Sequence, residues 1–101
     1  MRIAVPVSGV QVPVELDELR DLGIRLETSS HVGAKTAVEK IGAVVASAEH
    51  EAPIRPPDWT AQELDAIVHS LDGWAMELGS AVVGDDLMAL RNAAASALDA
   101  L

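Results

Sequence analysis

Residues 58–101 read as two amphipathic helices folded back on each other, so the rest of the chain has to pack against their apolar faces. The first helix opens at Thr60-Ala61-Gln62-Glu63, a capping box in which the Thr hydroxyl and the Glu carboxylate each accept a hydrogen bond from a backbone N–H that the helix leaves unpaired. At ~100° per residue, Leu64, Ile67, Val68, Leu71, Trp74, Ala75 and Leu78 fall within an arc of about 120°, and Glu63, Asp65, His69, Ser70, Asp72, Met76 and Glu77 lie outside it. Val82 continues the stripe, which extends the expected helix through Gly79 to residue 83. Gly84-Asp85 then supplies a stop followed by an N-cap, and so short a connection turns the next helix antiparallel. On that helix Leu87, Leu90, Ala94, Ala97, Leu98 and Leu101 share a face.

Upstream, Pro53, Pro56 and Pro57 stop a preceding helix and hold the connector extended. That helix is predicted over 30–51, capped by Ser29 or Ser30, with Ala34, Ala37, Val38, Ile41, Val44, Val45 and Ala48 as its stripe. Before it, Leu16, Leu19 and Leu22 follow a three-residue spacing, and Gly23 reads as the stop of a short helix. Ile24, Leu26 and Thr28 then alternate with Arg25 and Glu27, as a short third strand or an extended connector. Residues 2–16 mirror about Ser8-Gly9: Val7 faces Val10, Val5 faces Val12 and Ile3 faces Val14, the pattern of a hairpin with a two-residue turn. In that register Pro6 opposite Gln11 and Pro13 opposite Ala4 occupy pairs that exchange no hydrogen bonds, so neither proline removes a donor from the ladder. The competing reading of this stretch is an extended, irregular arm.

A chain of 101 residues holds one core. Phe and Tyr are absent, so that core has to come from Val, Leu, Ile and Ala, with Trp59 and Trp74 as its only large anchors. The lack of cysteine removes disulfide and thiol chemistry and fits a reducing compartment. No apolar run reaches the roughly 7–15 residues of a signal peptide or the 18 or more of a membrane span, which points to the cytoplasm. The abundance of Ala, Gly, Val and Asp suggests a GC-rich bacterial source. Net charge is -9, and residues 58–101 carry eight carboxylates against Arg91 alone. Such acidity repels phosphate backbones and anionic lipid, so neither nucleic acid nor membrane is an expected partner.

Candidate chemistry competes with plainer explanations at each position. Gly33-Ala34-Lys35-Thr36 lacks both the Gly-Lys pair and the upstream glycine of a phosphate-binding loop, which leaves Lys35 a solvated helix residue. Asp65, His69 and Asp72 could offer two carboxylates and an imidazole to a divalent cation, or simply solvate the outer face of their helix. Ser29, Ser30 and His31 could supply a nucleophile and a base, but helix capping accounts for the serines. Trp59 can staple onto Leu64. Trp74, at the edge of the apolar arc, suits an interface.

The expectation is therefore a single mainly α domain over 1–101, with α+β as the neighbouring class. Residues 1–28 form a β-hairpin, a short helix and a connector; helices near 30–51, 60–83 and 85–101 form a three-helix bundle with an antiparallel C-terminal hairpin. The expected role is a non-enzymatic accessory or adaptor module with no cofactor or metal, binding another protein, such as a co-encoded one, or a second copy of itself. Asp65, Ala66, Ser70, Asp72, Gly73, Trp74 and Glu77 are the expected contact set, a small-residue strip inside an acidic rim. The alternatives are an antitoxin or immunity-type inhibitor whose acidic face covers a basic surface, and a small enzyme with a Ser/His/carboxylate pocket.

Overall fold

The hairpin turns at Ser8 (φ 47°) and Gly9 (φ 84°), both left-handed, the combination that a tight two-residue turn between twisted strands requires. In the computed structural model, which describes residues 1–101, β1 (Arg2–Val7) and β2 (Val10–Glu15) pair antiparallel from Val7↔Val10 to Arg2↔Glu15, the register the mirrored valines predict. Val5, Val7, Val12 and Val14 are buried, and Ala4, Gln11 and Pro13 are exposed. Pro6 sits in a pair whose backbone groups point away from the partner strand, and its outward carbonyl accepts a hydrogen bond from Trp59 Nε1 at 2.9 Å.

Helix α1 spans Leu16–Glu27 and passes straight through Gly23, so neither the expected stop nor the strand or connector over 24–28 is found. Leu22 and Leu26, one turn apart, are both buried with Leu16 and Leu19; the alternation after Gly23 is a helix sampled over too few residues. A Cβ at Gly23 would stand 3.6 Å from Ile41 Cγ2, which marks where α1 lies against the next helix.

That helix, α2 (Ala34–Glu49), starts later than a Ser29 or Ser30 cap would place it. Its N-cap is Gly33, at φ 90° and with no side-chain cap, while Ser29 Oγ accepts instead from the His31 N–H at 3.1 Å. A Cβ at Gly33 would fall 2.7 Å from the backbone carbonyl of Gln62, so the start of α2 can lie on the start of α3 only because this residue is glycine.

Helix α3 (Ala61–Leu78) begins with the expected capping box at Thr60 and Glu63, but ends before Gly79, whose φ of 91° and ψ of 146° leave the helix. A four-residue turn of helix, α4 (Ser80–Val83), and a second extended glycine, Gly84, lead into α5 (Asp85–Asp99). The helix expected over 60–83 is thus broken, Asp85 is the first residue of α5 and not its cap, and the chain is rotated at the break. Val83 is buried there and Val82 is 64% exposed, the reverse of the expected stripe.

The helices assemble mainly as two pairs, α1 with α2 and α3 with α5, joined where α3 meets α1 and α2, and the hairpin lies on α5 through β2. One buried cluster draws side chains from every element. The fold is mainly α with an N-terminal β-hairpin, and α1 joins the bundle as a fourth helix.

Candidate functional site

The position of α3 is set at its first turn. Thr60 Oγ1 accepts from the Glu63 N–H at 3.2 Å, and Glu63 Oε1 accepts from the Thr60 N–H at 2.8 Å. Lys40 of α2 reaches the same carboxylate at 2.6 Å and also donates to the Asp58 carbonyl. Burial pushes the Glu63 carboxyl up, but hydrogen bonds from Lys40, the Thr60 backbone, and the Thr36 and Thr60 hydroxyls outweigh it and hold the group below its ordinary value. Trp59, buried just ahead of the cap, carries this anchoring to the hairpin through Pro6.

From that start, the seven expected contact residues fare differently. Ala66 is fully buried, so it offers nothing to a partner. It lies one turn beyond Gln62, on the face that Gly33 brings under α2. Asp65 is taken by His31 Nε2 at 2.7 Å, and Asp72 by Arg91 in a two-pronged contact at 2.9 and 3.2 Å. Ser70, Gly73 and Trp74 are half-buried, and a Cβ at Gly73 would meet nothing within 4 Å. Glu77 is exposed and pairs with Arg25 at 2.6 Å, while the Arg25 guanidinium lies 5.1 Å from the centre of the Trp74 ring.

The contacts around Trp74 reveal a surface that the sequence reading missed. Ile24 of α1 is 61% exposed and Leu78 at the end of α3 is 55% exposed. With Trp74, Arg25, Asp21 and Thr28 they line an open cleft of about 440 Å³ between the two helices. Ile24 also borders a second groove, of about 260 Å³, where Gly23, Ile41, Gly42 and Val45 leave α1 and α2 shallowly packed. The two grooves join at Ile24 into one apolar strip. Its only detectable sequence signal was Trp74 at the edge of the arc, because Ile24 was assigned to a strand or connector and Leu78 to the core.

Charge is distributed unevenly around this strip. Seven of the sixteen carboxylates lie within ion-pair distance of a Lys, an Arg or the N-terminal ammonium and an eighth, Asp65, is held by His31; Asp21 and Glu27, beside Ile24, are among the eight that have neither. Of the seven Lys and Arg, only Lys35 and Arg55 lack such a partner. Arg55 borders a groove of about 590 Å³ between α2 and the proline connector, but the other cation there, Lys40, is committed to Glu63. Near the α4–α5 junction, Glu18 keeps a buried Oε2 with no hydrogen-bond partner. Burial, then Asp86, Glu15 and Asp21, push its carboxyl up, and Arg2 only partly offsets them.

Ser29 and His31, named in the enzyme alternative, are engaged by other groups. Ser29 Oγ is used by the His31 backbone, and both ring nitrogens of His31 face oxygen atoms, of Val32 and Asp65. No helix is long and apolar enough to cross a membrane. No known family, curated protein or solved structure matches the chain.

Proposed function

We propose that the chain is a non-enzymatic binding module that receives a basic protein segment with an apolar centre on the strip formed by Ile24, Trp74 and Leu78. The observation that carries this reading is the side-by-side exposure of large apolar side chains from two helices, bordered by unpaired carboxylates. Trp is enriched among the residues that anchor interfaces, and the small neighbours Ser70 and Gly73 leave room for a second backbone beside Trp74. Asp21 and Glu27 would speed encounter with a basic partner, and the apolar centre would set the lifetime of the complex. Two copies of a chain carrying -9 repel each other, which favours a different protein over self-association. The same charge argument accommodates an inhibitor that covers a basic surface.

Co-expression with the proteins encoded beside it, followed by purification and sedimentation, tests the proposal. The expected result is a defined complex with a basic neighbour that weakens steeply with salt and is lost in Leu78→Asp and Trp74→Ala, with the helical spectrum of each variant retained. A complex that forms equally well with both variants, or a chain that stays monomeric with every neighbour, overturns it.

A further inference from the structure

We propose that the proline connector, residues 52–58, is a polyproline II ridge that docks into an aromatic-lined groove of a partner protein, with Arg55 paired to a carboxylate of that groove. The sequence Ala-Pro-Ile-Arg-Pro-Pro-Asp leaves the backbone little choice. Pro53, Pro56 and Pro57 have φ fixed at about -65°, and Ala52, Arg55 and Pro56, each preceding a proline, are kept out of the helical region. The segment contains no helix, strand or turn, and no N–H or carbonyl between residues 53 and 57 makes a backbone hydrogen bond, as in a polyproline II helix.

Burial follows the three-residue period of that helix. Ile54 and Pro57, one turn apart, are half-buried, and Ile54 packs on the core cluster. Pro53 and Pro56 form a second row, Ala52, Arg55 and Asp58 a third, and all five are exposed. The inward row alone keeps the connector on the protein. The second row is a P-x-x-P pair whose prolines stand about 9 Å apart at ~3.1 Å per residue, the pattern that domains with aromatic-lined grooves read.

The ridge is held in this shape at both ends. The Ala52 N–H donates to the Ser47 carbonyl at 2.8 Å, Lys40 donates to the Asp58 carbonyl, and Trp59 is buried with its indole on Pro6. Little conformational freedom is therefore lost on binding. The open groove of about 590 Å³ runs beside the ridge, with Pro53 and Pro56 on one wall and Ala43, Val44 and Ser47 of α2 on the other, so an aromatic ring from a partner can enter it and lie against the prolines. Arg55 borders the same groove without an ion-pair partner, and its planar guanidinium suits a carboxylate. Glu51 and Asp58 flank the segment, so the match calls for a single carboxylate at Arg55 and not for a groove that is acidic throughout. No residue of this groove lines the cleft at Trp74 and Leu78, which makes the ridge a second, separate surface.

Titration of the isotope-labelled chain with a set of purified SH3 and WW domains, which read this backbone through aromatic grooves, tests the ridge. At least one of these domains should shift the amide signals of Ile54, Arg55 and Asp58 and leave those of Ile24 and Trp74 in place. Pro53→Ala combined with Pro56→Ala, both at exposed positions, should weaken that binding by at least about tenfold, as should Arg55→Glu, while Leu78→Asp leaves it unchanged. Should the double variant lose its helical spectrum, Arg55→Glu decides alone. Silence across the whole set, or binding undiminished in the variants, reduces the segment to a spacer and overturns the proposal.

Discussion

Glu63 is the only charged side chain buried in the core, and everything around it serves to keep it ionised there. Removing the cap hydroxyl in Thr60→Ala should cost about 0.5–2 kcal/mol, read from denaturant unfolding. Lys40→Met should cost about 1–3 kcal/mol, because it leaves a buried carboxylate short of its strongest donor. Glu63 is held below its unfolded value near 4.5, so its stabilisation is present above that pH and is lost as pH falls through the depressed folded value. Glu18 runs the other way. Its folded value is raised above 4.5, so its penalty is absent below that pH and appears as pH rises through the raised value. Glu18→Gln should therefore melt higher than the parent at neutral pH, with the gap closing below 4.5; an equal gap at both ends of the titration would contradict this assignment.

Between elements, two glycines should respond to alanine with opposite signs. Gly23 lies inside α1 with ordinary van der Waals room beside Ile41, so Gly23→Ala should stabilise by about 0.5–1 kcal/mol through helix propensity alone. Gly33→Ala places a Cβ against the Gln62 backbone at a positive φ, and should lower the melting temperature and loosen α2 from α3. Both glycines are conspicuous in the sequence, but it assigned Gly23 the role of a stop and gave Gly33 none, because what each one touches is decided by a helix elsewhere in the chain. The hairpin register was legible, since mirrored valines about Ser8-Gly9 fix both the turn and the pairing. So was the Thr60–Glu63 cap, which depends on four consecutive residues. The site was less so. Periodicity gives a residue's angle around a helix axis and not how far along that axis a neighbour extends, so Leu78, within the apolar arc, is left uncovered at the end of α3, while Ala66, outside it, is covered.

At the scale of the whole molecule, a net charge of -9 with nine carboxylates lacking a Lys, Arg or N-terminal partner makes the folded chain repel itself. Its ion pairs are mostly on the surface and individually weak. Raising ionic strength from ~0.01 M to ~0.15 M shortens the screening length from about 30 Å to about 8 Å, and should raise the melting temperature. A fall would mean that the pairs, above all Arg91–Asp72 and Arg25–Glu77, outweigh the long-range repulsion.

The two tryptophans divide the chain's optical properties between them. With no Tyr or Phe, all near-ultraviolet absorption and emission comes from Trp59 and Trp74. Trp59, enclosed between the capped end of α3 and the first strand, should emit at shorter wavelength and change only when the hairpin detaches. Trp74, half-exposed beneath a guanidinium, should emit at longer wavelength and respond to whatever settles on the strip. A single fluorescence spectrum thus contains two separable channels, one for integrity and one for occupancy, without any label being added.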